Sequence, residues 1–254
     1  MDLIERDAAA RGRHPWEIAR ARFFLRLLDR LGCLTTTPSW LDVGAGDAWF
    51  AERLRPLLPE TAALVCWDVD YGDAELSASD APVGIDLTAE RPAGTFGGVM
   101  MLDVIEHVED DIGFVRDVVG GSLASDGWVL VSVPAYQALF SDHDRFLRHY
   151  RRYSPRALRD TLEAAGPTVG ARGGLFHALL PLRAAQVARE RHRRHAVSQR
   201  GIGGWQGSER LSRGIVFALE LDSALSLFAG ELHLPVVPGL STWAFCRAAA
   251  DVAP

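Results

Sequence analysis

The sequence predicts an α/β fold built on a mostly parallel sheet, and three observations carry that reading. Short apolar strands alternate with amphipathic helices along most of the chain, the pattern of a sheet covered on both faces. A glycine-rich turn, Gly44-Ala45-Gly46-Asp47, joins the first strand to the next helix. An acid, Asp68, closes the second strand, where such folds place a ligand contact.

The elements follow in order. A helix is expected over residues 15–31, with Pro15 at its first position and Gly32 just past its end. Trp16, Ala19, Phe23, Leu27 and Leu31 make its apolar stripe, widened by Phe24 and Leu28. Residues 40–43 read as the first strand, 48–55 as a helix, and 63–67 as the second strand, ending in Asp68 and Asp70. A third strand is expected over 82–85, ending at Asp86, and a fourth over 98–102, with a helix over 111–119 behind it. Residues 128–133 are a fifth strand, stopped by Pro134. A polar and aromatic connection, 135–153, leads to Ser154, which caps a helix opened by Pro155 and ended by Gly166. The sixth strand is expected within 168–171 and the last over 242–247. The 174–238 insert between them is too long for a hairpin loop. It reads as an arginine-rich helix, 181–194, followed by an apolar one, 211–230.

Composition narrows the class. The chain has 254 residues, 48% hydrophobic and 24% charged, which suits one soluble domain with a sizeable core. Its 33 acids outnumber 27 basic residues, all of them arginine, so a general nucleic-acid binder is disfavoured. Cys33, Cys66 and Cys246 are isolated and odd in number, which fits reduced thiols in the cytoplasm. The first residues lack the apolar stretch of a signal peptide, and no run is long enough to span a membrane. No ligand cluster has metal spacing, so no metal is expected, nor sensitivity to EDTA.

Gly44 and Gly46 let the backbone turn sharply and approach a ligand. A dinucleotide site wants a third glycine, where this chain has Trp49. That favours a nucleoside ligand without a pyrophosphate, whose ammonium Asp42 can hold. Asp68 suits the ribose hydroxyls, with Asp70 as competitor.

On these residues the chain resembles the class I S-adenosylmethionine (SAM)-dependent methyltransferases, particularly the ubiquinone-biosynthesis-type and small-molecule group. LDVGAGDAWF is similar to the family's first motif, VCWDVD to its second-strand motif, GIDLT to its third and FGGVMMLDVIEHVED to its fourth. The resemblance implies a Rossmann-like seven-stranded sheet, order 3-2-1-4-5-7-6, with the last strand antiparallel. It implies SAM as cofactor and S-adenosylhomocysteine as its product. It also implies a cofactor site of Asp42, Gly44, Ala45, Gly46, Asp47, Trp49, Asp68, Val69, Asp86, Leu87, Leu102, Asp103 and His107. HPWEIARARFF and FSDHDRFLRHYRRYSPRAL resemble segments of a narrower subgroup that methylates quinones, glycolipids and natural products.

Methyl transfer needs a nucleophile aligned behind the sulfonium carbon and, for a hydroxyl, a base. The loop after strand five opens at the ligand edge. It offers His143 as first candidate base and His149 as second, Asp144 to orient an imidazole, and Tyr153, which also suits a packed strut. His14, Trp16, Arg20, Tyr136 and Arg151 are candidate acceptor contacts, the first three from an N-terminal helical lid over residues 1–35. The expected activity is O-methylation of a small organic acceptor by a monomer or homodimer. Two alternatives stay open. The arginine-rich helix (Arg183, Arg189, Arg191, Arg193, Arg194) suits a phosphorylated or lipid-linked acceptor at a membrane surface. The cofactor motifs alone also suit a SAM-binding module without transfer activity.

Overall fold

The strands β1 (Ser39–Val43), β2 (Ala63–Trp67), β3 (Asp86–Thr88), β4 (Phe96–Leu102), β5 (Leu123–Pro134), β6 (Thr168–Leu175) and β7 (Ser241–Arg247) make one sheet in the computed structural model. Their order is β3-β2-β1-β4-β5-β7-β6. The first five pair in parallel, and β7 runs antiparallel between β5 and β6. The structure describes residues 13–76, 83–192, 205, 207–231 and 236–248. The helices are α1 (Pro15–Arg30), α2 (Cys33–Thr36), α3 (Trp49–Leu54), α4 (Asp73–Leu76), α5 (Asp111–Ser122), α6 (Asp142–Phe146), α7 (Pro155–Ala165), α8 (Leu179–His192) and α9 (Glu209–Glu231).

Side chains alternate across the strands and build a core on each face. Trp40 and Met100 point into one layer with Phe23, Phe24, Leu28 and Trp243. Leu41 and Met101, their chain neighbours, point into the other with Val115, Leu158 and Leu162. The helix α1 begins at a capping box: the His14 ring accepts the Trp16 N–H, and the Glu17 carboxylate accepts the His14 N–H. Its carboxyl half packs on α9, where Arg22 and Arg26 pair with Glu220. Ser154 caps α7 by accepting the Ala157 N–H at 3.1 Å, and Gly166 ends that helix at φ 122°.

Three elements differ from the sequence expectation. The third strand lies over Asp86–Thr88, later than residues 82–85, because Gly84 adopts φ 76° in a turn. Pro82 itself lies outside the described residues. The sixth strand runs on to Leu175 through Gly173 and Gly174. Neighbours press close here: a Cβ on Gly173 would run into Ser226 Oγ of α9. The 135–153 connection contains α6, opened by a Ser141–Asp144 capping box. Among the described residues no helix is long and apolar enough to cross a membrane.

Candidate active site

The glycine turn leaves β1 with Gly44 at φ 64° and Gly46 at φ 57°, left-handed conformations that glycine adopts at low cost. A Cβ on Gly44 would lie 2.7 Å from Val104 Cγ2, so a side chain is also excluded by contact. The turn is pinned to the end of β2. Gly44 N–H donates to the Trp67 carbonyl, and Gly46 N–H donates to Asp68 Oδ2, both at 2.7 Å. Asp68 Oδ1 accepts the Asp70 N–H at 3.0 Å.

A small cleft opens between this turn and α1, lined by Glu17, Arg20, Asp42, Gly44, Ala45, Trp49 and Leu102 among others. Asp42 is 3% exposed. Burial pushes its carboxyl up to about 7, with Asp68 adding to the shift and Arg20 opposing it. Arg20 crosses from α1 to pair with Asp103 and lies over the Trp16 ring at 5.0 Å. Asp103 holds φ 60° at the end of β4, a strained setting for a non-glycine residue. Arg13 pairs with Asp47 and lies over Trp49 at 4.8 Å. Two arginines, Arg13 just before α1 and Arg20 on it, therefore tie this helix to the carboxyl edge of the sheet.

The loop after β5 folds onto the same edge. Tyr150 N–H donates to the Glu106 carbonyl at 2.7 Å. Asp144 is wholly buried and accepts from Ser141 N–H, from Arg152 Nε at 2.6 Å and from His149 Nδ1 at 3.1 Å. Burial alone would raise its carboxyl, but these donors hold it well below the usual carboxylate range. The His149 ring meets His107 edge-on, 4.5 Å between centroids. A carboxylate oxygen of Glu106 lies within 4.8 Å of a ring nitrogen of each, and that carboxyl group is 0% exposed and pushed up to about 8, chiefly by burial. His143 is half-buried, and its pKa is lowered by that burial and by the Arg183 guanidinium. Arg183 of α8 donates to Ser141 Oγ at 2.6 Å, and Arg191 donates to the Ala138 carbonyl at 2.8 Å.

The expected site residues separate into groups. Asp42, Gly44, Ala45, Trp49, Leu102 and Arg20 meet at the cleft. Asp47, Asp68, Trp16 and Asp103 stand beside it through their own contacts. Val69 is 74% exposed. Asp86 is exposed and level with Val65 rather than with the end of β2 at Trp67, while Leu87 packs into the core. His14 is engaged in the helix cap and packs edge-on to Trp205 at 5.1 Å. Arg151 pairs with Asp111 at 2.9 Å. Tyr153 is 2% exposed and its hydroxyl donates to Asp111 Oδ2 at 2.6 Å, the contact of a packed strut. Tyr136 holds φ 62° and donates its N–H to the Tyr153 carbonyl. Arg193 and Arg194 of the arginine cluster lie outside the described residues.

The sequence reading allows a loop locked by hydrogen bonds among Asp144, Arg152 and a histidine, but it does not single out Glu106 as a buried acid, nor Ser141 and Arg183 as part of the frame around Asp144. Ser141 three residues before Asp144 was the one local signal for part of this, a capping spacing. Glu106, His107 and His149 converge within 4.8 Å although no ligand spacing along the chain marks them. Spacing along the chain cannot register a histidine delivered by a distant loop.

Comparison with known proteins agrees with this architecture. A family model described as a methyltransferase domain matches residues 16–170, more than half of the chain. No curated protein matches the sequence. Among solved structures, the N-methyltransferase NodS of Bradyrhizobium japonicum, in complex with S-adenosyl-L-homocysteine, is 15% identical, covering 96% of this chain and 94% of that one, with a TM-score of 0.54. The 1,6-didemethyltoxoflavin-N1-methyltransferase of Burkholderia thailandensis is 14% identical over 92% of this chain and 80% of that one, TM-score 0.52. The [4+2]-cyclase SpnF is 17% identical over 96% and 86%, TM-score 0.54. These likenesses are likenesses of fold. The chain belongs to the methyltransferase-domain family, as a class I enzyme with S-adenosylmethionine as its methyl donor. The residues present fit that donor: the backbone at Gly44 is a cradle that a Cβ would fill, and the acidic side chain of Asp42 is buried against the same cleft.

Proposed function

We propose that the protein transfers the SAM methyl group to an oxygen of a small organic acceptor in a biosynthetic reaction. In this reading Asp42 holds the donor's ammonium, the Gly44–Gly46 backbone its carboxylate, and Asp68 the ribose hydroxyls. Trp49, Val69, Leu87 and Leu102 supply apolar surface. Asp86, exposed at the start of β3, is assigned to the adenine amino group. The helix α1 serves as lid within residues 1–35, and the 174–238 insert roofs the loop after β5. Three buried free cysteines support a reducing, cytoplasmic setting.

The observation that carries the O-methylation reading is His143. Its pKa is lowered by burial and by Arg183, which favours the neutral ring, the form that accepts a hydroxyl proton. It stands on the loop that folds over the carboxyl edge of the sheet. The test is product analysis with SAM against hydroxyl-bearing and amine-bearing acceptor panels. Hydroxyl methylation is expected, with His143→Ala lowering turnover by about 10²–10⁴-fold while SAM affinity holds. Methylation of amines alone, or full turnover in the variant, overturns the reading.

A second reading, a lipid-linked acceptor, is favoured by exposed apolar side chains on the insert helices: Leu182, Leu211, Phe217 and Leu221 are each more than half exposed. Co-sedimentation with anionic vesicles, lost in Phe217→Ser with Leu221→Ser, tests it.

A further inference from the structure

We propose that Glu106, His107 and His149 form a site for one divalent first-row metal ion of the zinc class, at the acceptor side of the cleft. One ligand atom from each residue lies within 4.8 Å of the other two. Glu106 is wholly buried, and neither carboxylate oxygen has a hydrogen-bond partner among the described residues. A carboxylate withdrawn from water without a partner is costly, and a bound cation removes that cost.

The surroundings of His149 are those of a metal-bound imidazole. Its Nδ1 faces Asp144 Oδ1 at 3.1 Å. That oxygen also accepts from Arg152 Nε, and Asp144 Oδ2 accepts from Ser141 N–H and Oγ–H. An ionised carboxylate only accepts, so Nδ1 carries a hydrogen and, in the neutral ring that a metal requires, Nε2 carries the lone pair. A carboxylate fixing the tautomer and aim of a liganding histidine is the usual support of such sites. Asp144 is thus a positioning residue.

The donor set selects the ion. Two imidazoles and one carboxylate suit zinc and its neighbours, whereas magnesium and calcium prefer oxygen ligands throughout. Three protein ligands leave a coordination position open, as catalytic sites do. The cluster follows directly on Leu102 and Asp103 at the end of β4, and Arg20, which lines the cleft, lies near enough to act on the Glu106 charge. An acceptor hydroxyl bound at the open position loses its proton more readily, and His143 accepts it. The oxygen lone pair then forms the new C–O bond while the methyl C–S bond breaks. That electron pair returns to sulfur, leaving the neutral thioether S-adenosylhomocysteine. This step rests on the O-methylation reading; the metal site itself does not.

The test uses tag-free protein stripped with EDTA, titrated with Co²⁺ by visible absorption and with Zn²⁺ by calorimetry. Wild type, Glu106→Gln and His149→Gln are compared, each also titrated with SAM. One equivalent of metal is expected in the wild type, with a Co²⁺ spectrum free of thiolate charge transfer. Each substitution should weaken binding by about tenfold or more, with SAM binding retained as the sign of a folded protein. The wild-type spectrum reports the donor set even where a variant fails to fold. Absence of metal binding, a thiolate spectrum, or equal affinity in wild type and both variants overturns the site. SAM binding without metal binding removes this inference and leaves the methyltransferase reading standing. Metal binding without SAM binding does the reverse.

Discussion

The Asp68 carboxylate reaches back across 22 residues to accept the Gly46 N–H at 2.7 Å, while its other oxygen accepts the Asp70 N–H at 3.0 Å. One side chain therefore shapes the glycine turn and stands at the end of β2 where a ribose is expected. Asp68→Ala removes charged hydrogen bonds to both. Calorimetry should show SAM affinity about 10–100-fold weaker. An unchanged dissociation constant would sink the assignment.

If Asp42 holds the ammonium as proposed, cofactor binding should depend on pH. Its carboxyl is pushed up to about 7 by burial, while SAM's ammonium needs the ionised form. Binding below that pH must release a proton, so affinity should fall by up to about tenfold per pH unit below 7 and level off above it. The cofactor-free protein responds with the opposite sign. Between about pH 4 and 7 its folded state holds a proton that the unfolded state has released, so stability declines as pH rises across that window. Asp42→Asn should bind SAM weakly with a flat profile in this range. A flat profile in the wild type counts against the ammonium contact.

The Arg20–Asp103 pair joins α1 to the end of β4, with the guanidinium stacked over Trp16. Breaking it should loosen the helix over the cleft. Arg20→Ala is expected to weaken SAM binding about three- to tenfold, mostly through faster release, measured by stopped-flow displacement. Unchanged release rates would make the pair irrelevant to retention.

Tyr153→Phe separates strut from catalyst. The phenol donates to Asp111 in a buried setting, and Arg151 holds the other Asp111 oxygen. Losing the hydroxyl should cost about 1–2 kcal/mol of unfolding free energy, read by denaturant titration. Turnover per folded molecule should stay at the wild-type level. A large loss of turnover in a stable variant would return Tyr153 to the chemistry.

Local signals in the sequence were enough for the strand and helix alternation, the glycine turn, the bounds of β2, the Ser154 cap and the Gly166 stop. Each depends on residues within a turn or two of one another: periodicity, a missing N–H, a left-handed backbone. The strand order followed from resemblance to a family, and the sheet has that order. Tertiary structure alone decided where β6 ends, since Gly173 admits α9 through lack of a Cβ rather than breaking the strand. It alone committed Tyr153 to Asp111 and left Asp86 level with Val65. It alone carried His149 to Glu106 and His107, because the Asp144 frame and the Tyr150–Glu106 backbone bond fold the loop back onto β4. Strand register and loop closure are long-range outcomes of packing, and no window of neighbouring residues encodes them.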